Sequence, residues 1–273
     1  MKKLALAALL LLAGCGQDEP QPWLGYVEAD NAFISAPEAG WVSRLTVERG
    51  AWVKKGDLLF TLDATSQAAA RDQANAAIAL AQGQLVAAQA NLELTQKELT
   101  RQAGLMKADA GTKQNYDIAK SNYDTARAQV AQIQAQEANA RASLSGAAYQ
   151  LSERDVISRT EGRVQDIYFR PGEYAPAMTP VVSVLPPKNI YIRFFVPETQ
   201  FAQLKLGQKV AINCDGCAAN IVATITFIAQ QEEFTPPVIF SIGSRDKLVF
   251  KVEARAPDGL KLNPGQPVDV RSL

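Results

Sequence analysis

The sequence predicts an α+β chain of several modules, in which a small flattened β-barrel is split by a long antiparallel coiled-coil hairpin and followed by further β structure. Three observations carry this. Prolines stand at 20, 22 and 37 and then not before 171, and within that gap residues 66–151 are rich in Ala, Gln, Asn, Lys, Glu and Arg, mostly strong helix formers. The segments on either side, residues 38–62 and 161–185, repeat each other at a constant offset of 122. From residue 188 onward, alternating apolar runs are separated by turn dipeptides such as Leu206-Gly207, Asp215-Gly216, Asp258-Gly259 and Pro264-Gly265.

The 273 residues give room for one large domain or a few small modules. Lys+Arg and Asp+Glu both number 28, and this zero net charge argues against a nucleic-acid binder. Histidine is absent, which excludes His-based triads, an imidazole base and His metal sites. Three cysteines are too few for a multi-disulfide scaffold.

Residues 1–14 read as a signal peptide, with Lys2 and Lys3 before an apolar stretch from Leu4 to Leu12. Leu12-Ala13-Gly14-Cys15 looks like a bacterial lipobox. That resemblance implies cleavage before Cys15 and acylation there, with residues 15–22 as a lipidated tether. Each buried methylene of an acyl anchor contributes about 0.8 kcal/mol, so several chains hold far better than one.

Apolar and small residues recur at three- and four-residue steps from Ala74 to Met106 and again from Tyr116 to Leu151, with Glu137 the clearest break. Between them, Gly104 to Thr112 contains two glycines and reads as a turn. Folded there, the seams superpose: Leu92 meets Ala126, Ala88 meets Val130, Leu85 meets Ile133 and Ile78 meets Ala140, every pair of numbers adding to 218. Large residues mostly face alanine, so the helices interdigitate closely. The hairpin is expected over residues 64–151, with arms of roughly 54 Å. Its outer faces read as Gln, Asn, Lys and Asp, with no second apolar stripe.

In the flanks, Gly40 matches Gly162, Val42 matches Val164, Gly50 matches Gly172, and Leu59 and Leu62 match Val181 and Val184. Neither half, residues 38–63 or 152–187, is large enough to close a core, but together they form a small barrel.

The pattern G-x-V-x-x-L-x-V-x-x-G-x-x-V-x-x-G-x-x-L resembles the half-motif of lipoyl and biotinyl carriers. Split by an Ala/Gln-rich hairpin and preceded by a lipobox, the chain resembles the HlyD-type membrane fusion proteins, or periplasmic adaptors. The resemblance implies a lipoyl-like barrel carrying the hairpin and a C-terminal adaptor-type β-barrel over residues 188–273, joined by an N-terminal strand within residues 23–37. Since the chain stops right after the expected last strand, a further membrane-proximal domain is expected to be small or missing. The resemblance also implies a non-enzymatic, cofactor-free periplasmic protein, lipid-anchored at the inner membrane. It would bridge an inner-membrane transporter to a TolC-type outer-membrane channel as a homo-oligomer, a hexamer when assembled. The peptide Glu233-Phe234-Thr235-Pro236-Pro237-Val238-Ile239 resembles a loop of the YbhG-like subfamily, which favours an ABC-type transporter over an RND or MFS one.

Arg101, Leu105 and Thr112 resemble the R-L-S tip with which adaptors dock such channels, with threonine keeping the hydroxyl. The alternative is structural: Leu105 packs within the turn, Thr112 caps the second helix and Arg101 is solvated. A lipoyl or biotinyl carrier is the competing class, but it needs a lysine where this chain has Leu62-Asp63-Ala64-Thr65. A periplasmic metal-handling protein would need a ligand cluster. Cys214-Asp215-Gly216-Cys217 offers two thiols and no histidine, short of the four ligands of a zinc site. Its expected state is a local disulfide, with free thiols and a metal-transfer pair as alternatives.

Overall fold

The computed structural model describes residues 21–217, 221–234, 248–257 and 259–273. They form two compact units, one of residues 33–159 and 166–183, the other of the remaining described chain. The first elements are β1 (Trp23–Ala29), β2 (Ala32–Ser35), β3 (Gly40–Leu45), β4 (Trp52–Val53) and β5 (Leu58–Leu62). Two long helices follow, α1 (Thr65–Lys107) and α2 (Lys113–Ser152). After them come β6 (Asp155–Ile157), β7 (Gly162–Ile167), β8 (Tyr174–Ala175), β9 (Pro180–Leu185) and β10 (Ile190–Pro197). The chain ends with α3 (Glu198–Phe201), β11 (Lys209–Asn213), β12 (Ile221–Phe234), β13 (Leu248–Arg255) and β14 (Pro267–Ser272).

The β repeat recurs strand by strand. At the offset of 122 seen in the sequence, β3 falls on β7, β4 on β8 and β5 on β9. Matched side chains share a burial: Val42 and Val164, Leu59 and Val181, Leu62 and Val184 are all core. Matched backbone bonds recur as well, from Thr46 N–H to the Leu59 carbonyl (2.9 Å) and from Tyr168 N–H to the Val181 carbonyl (2.8 Å). Gly50 and Gly172 occupy the same left-handed conformation, at φ 85° and 89°, where a side chain would be strained.

The strands assemble into two four-stranded sheets, ordered β2-β9-β7-β4 and β6-β5-β3-β8. The short strand of each copy therefore lies in the other copy's sheet. Trp41 of β3 stands opposite Tyr174 of β8, and Val42 N–H donates to the Glu173 carbonyl at 2.9 Å. Gly40 is glycine because a Cβ there would meet the guanidinium of Arg154, which is buried and donates to the Ala39 carbonyl (2.9 Å) and the Glu38 carboxylate (2.7 Å).

The hairpin leaves and re-enters this unit through paired strands. β5 lies antiparallel to β6, with Phe60 opposite Val156 and Thr61 opposite Asp155. Helices that begin and end at one strand pair must run side by side. Their 43 and 40 residues reach about 65 and 60 Å, longer than expected because both continue past the last seam residues. Ala81, Ala88, Ala119, Ala126, Val130 and Ile133 are buried, and Leu85 and Leu92 pack on the Ala88–Val130–Ile133 cluster as the 218 register requires. The Glu137 break is compensated: its carboxylate accepts from Gln82 Nε2 (3.2 Å) and Arg141 (2.6 Å).

Three expectations need correction. Gly104 is not in the turn but inside α1, since an exposed glycine costs a helix only about 1 kcal/mol and the last turn tolerates it. The outer face of α1 is not uniformly polar: Leu80, Val86 and Leu94 stand exposed on it. Residues 23–37 hold two strands: β1 lies where a strand was expected, near Trp23 to Ala29, and joins the barrel, whereas β2 edges a four-stranded sheet instead. The polar break Asp30-Asn31 separates them, Asp30 exchanging hydrogen bonds with Asn189 through its N–H (3.1 Å) and its carbonyl (2.8 Å).

In the other unit, β1, β10, β13, β12, β11 and β14 close into a barrel around Val27, Ile192, Phe194, Ile212, Ile225, Val252 and Val270. A polar ladder crosses three neighbouring strands on its outside. Arg193 bonds Glu28 (2.6 Å) and Glu253 (3.0 Å), and Tyr191 Oη donates to Glu28 at 2.8 Å. Burial first, and then this bond to a carboxylate, push the Tyr191 phenol up to about 12.

Two outcomes follow from this packing. Ile133→Ala lowers hairpin stability by about 2–3 kcal/mol, the low end for such truncations because the seam borders water; it is read as earlier melting of the far-UV helical signal. The Tyr191 phenol is favoured protonated in the fold, so its contribution is whole below pH about 10 and is lost as pH rises toward about 12. Denaturant unfolding between pH 9 and 11.5 should show the natural protein losing stability faster than Tyr191→Phe; equal slopes would contradict the account.

Candidate docking tip

The turn between the helices is built from backbone bonds. Ala110 N–H donates to the Leu105 carbonyl (2.9 Å) and Asp109 N–H to the Met106 carbonyl (3.2 Å), the bond pair that closes a helix on a left-handed residue. That residue is Asp109, at φ 55°, where glycine is usual. Gly111 then lies so close to Leu105 that a Cβ would sit 3.1 Å from the leucine Cβ. Thr112 is extended and starts α2, its Oγ1 accepting from Asn115 N–H at 3.2 Å.

The result is a rigid turn that displays apolar surface. Leu105 is 40% exposed and Met106 39%. One turn back on α1, Arg101 bonds Glu98 at 2.5 Å, and Gln102 bonds the same carboxylate at 2.9 Å. The Arg101 bond, then the Gln102 bond, hold Glu98 below the usual carboxylate range, while Glu98 pushes the guanidinium's pKa up. Arg101 is thus paired with Glu98 on the exposed surface of α1.

Leu105 and Thr112 share this turn and Arg101 stands just below it, so Thr112 is the cap of α2 and is also exposed. Glu98 and Asp109 escaped the reading of the sequence. Met106, read as the last residue of the first seam, is instead exposed beside Leu105.

The other candidate residues lie elsewhere. Cys15 falls outside the described residues, as does most of the proline-containing loop after Glu233. Cys214 and Cys217 are bonded across the turn after β11, Cα atoms 5.4 Å apart, and Gln266 Nε2 donates toward Cys217 Sγ at 3.4 Å. No described helix is long and apolar enough to cross a membrane.

Residues 77–153 match the family model of the RND MFP alpha-helical hairpin domain. The UPF0194 membrane protein in asrC 5′ region of Acidithiobacillus ferridurans is 30% identical over 129 residues, 46% of this chain and 38% of that protein's length. Colistin resistance protein EmrA of Acinetobacter baumannii is 26% identical over 292 aligned residues, 90% of this chain and 81% of that one. Among solved structures, MacA from Actinobacillus actinomycetemcomitans superposes with a TM-score of 0.69 at 20% identity, over 93% of this chain and 80% of MacA. The membrane fusion protein Spr0693 from Streptococcus pneumoniae R6 gives 0.57 at 18%, over 92% and 97%. At these identities the two structures speak for the fold.

The described residues form a doubled β unit that hands its chain to a long antiparallel hairpin, and a closed six-stranded barrel. Residues 77–153 thus match the helical hairpin domain of membrane fusion proteins, and the chain as a whole is similar to EmrA in sequence and to MacA in fold.

The cap gives a measurable consequence. Thr112→Ala costs about 1 kcal/mol and speeds hydrogen exchange at Asn115 N–H, whereas Thr112→Ser leaves both nearly unchanged.

Proposed function

We propose that this protein is the adaptor of a tripartite efflux or secretion system, bridging an inner-membrane transporter to a TolC-type outer-membrane channel. The observation that supports this best is the tip: a turn held by its own backbone bonds, presenting Leu105 and Met106 to solvent at the end of two 40-residue-class helices. The role is mechanical. The hairpin spans distance, the tip meets the channel, and the β units meet the transporter and neighbouring copies. Acylation at Cys15 anchors the base at the inner membrane, and a hexamer is the assembled form. The peptide at Glu233–Ile239 favours an ABC-type transporter, with RND and MFS types as alternatives. In the periplasm Cys214 and Cys217 remain a structural disulfide.

Leu105 retains 40% of its surface for a partner, so docking buries enough to stabilise each contact by about 1 kcal/mol, which several copies multiply. Arg101 adds charge-assisted bonds to channel carboxylates or carbonyls. Leu105→Ser and Arg101→Ala should therefore leave thermal unfolding unchanged but weaken cross-linking to the channel and lower export. Variants that fold, cross-link and export like the parent would refute the docking role, and variants that unfold would assign these residues to the turn alone.

A further inference from the structure

The arm joins the doubled β unit through two short connections, Asp63-Ala64 between β5 and α1 and Glu153-Arg154 between α2 and β6. Because β5 and β6 are paired, the two connections stand side by side. The line through them is an axis about which an arm held by nothing else can rock. The length of the arm magnifies that freedom. With α1 about 65 Å long, a tilt of about 10° at the root moves the tip by about 11 Å. One direction for the arm therefore requires a brace that leaves this axis.

Arg154 has the geometry of such a brace. Its backbone sits on the axis: its N–H donates to the Leu151 carbonyl of α2 (3.1 Å) and its carbonyl accepts from Leu62 N–H at the end of β5 (2.9 Å). Its side chain leaves the axis. Nη1 donates to the Ala39 carbonyl (2.9 Å) and Nη2 to the Glu38 carboxylate (2.7 Å), both in the turn between β2 and β3. The Gln67 amide, in the first turn of α1, turns its oxygen to the guanidinium and accepts from Nε at 3.1 Å and from Nη2. One planar fork thus holds α1, the end of α2, β5 and the β2–β3 turn together.

Two observations say that the guanidinium serves geometry rather than packing. Arg154 is 7% exposed, and Arg154 and Glu137 of the arm are the buried charged side chains among the described residues. Burying a charge is costly, and an apolar side chain of similar size fills such a space at least as stably. The repeat supplies an internal control. Its offset of 122 extends to β2 and β6, because Gly56 N–H donates to the Ser158 carbonyl (2.8 Å) and the matching Met178 N–H to the matching Ala36 carbonyl (3.0 Å). In that register Arg154 falls on Ala32. The half that no hairpin enters has alanine where the half that receives the arm has arginine.

We infer that Arg154 is a positioning residue, which fixes the direction in which the hairpin leaves the doubled β unit and so the place of the tip. This goes beyond the adaptor reading and stands on the geometry of the root alone. Arginine is required because its fork donates to all three partners in one plane, whereas a lysine ammonium is a single point on a flexible stem. The network also has an accessible rim, since the Glu38 side chain is 48% exposed. It can therefore be loosened from the partner side without opening the core.

The test places spin labels on the full-length protein at Arg44→Cys on β3 and Gln84→Cys on α1, both exposed positions, and measures their separation by pulsed electron resonance. Cys214 and Cys217 are bonded to each other and take no label, and the protein without added cysteines supplies the background. With Arg154 in place, one narrow distance distribution is expected. Arg154→Lys and Gln67→Ala should each at least double its width, while the melting of the helical signal follows that of the parent. An unchanged width would overturn the inference. So would a lowered melting temperature of Gln67→Ala, which would assign the network to stability. If Arg154→Lys melts early or fails to fold, Gln67→Ala decides by the same two readouts, because it leaves the bonds of the guanidinium to Glu38 and Ala39 in place.

Discussion

The structure depends on one constraint: neither copy of the β repeat is complete without the other. β8 lies against β3, β4 lies in the sheet of β7, and the matched valines and leucines of both copies are buried. A chain that separates two such halves must bring the second back to the first. The pairing of β5 with β6 does so at the root of the hairpin, and it obliges whatever lies between them to go out and return. A long antiparallel helix pair satisfies this with a seam of alanines and leucines. The cost of closing so large a loop rises only slowly with its length, so the arm's reach is free to be set by function.

The same constraint separates stability from docking. Core residues such as Val42, Leu59, Val164 and Val181 hold the doubled β unit. The seam around Ala88, Val130 and Ile133 holds the arm. The turn is held by its own backbone bonds and the Thr112 cap. Leu105 and Met106 therefore contribute little to any of these and remain available for a partner. Arg101 is paired with Glu98 by an exposed and therefore weak contact, which a partner carboxylate can replace.

Much of this was legible in the sequence because it is periodic. The offset of 122 placed six strands correctly, since apolar alternation between glycine turns leaves little freedom of register. The hairpin register was legible because large and small residues complement each other at a fixed sum. What escaped depended on subtler balances. Gly104 looked like a breaker, but a single exposed glycine near a helix end is outweighed by the seam. Asp109 gave no sign that it would take the left-handed conformation. The exposed Leu80, Val86 and Leu94 of α1 were hidden because small and polar neighbours dilute them. The strand expected near Trp23 to Ala29 is β1, but the second strand, β2, beyond the polar Asp30-Asn31 was missed.

The central claim is that the β repeat folds on its own closure and that the hairpin serves reach and docking. Replacing residues 65–152 with a short glycine–serine turn tests it most directly, because Thr61 and Asp155 already stand opposite each other and need only a tight connection. The account predicts a shortened protein with a cooperative thermal transition and a dispersed β-rich NMR spectrum, but no attachment to the outer-membrane channel. A chain that is unfolded without its hairpin, or one that still reaches the channel, would contradict it.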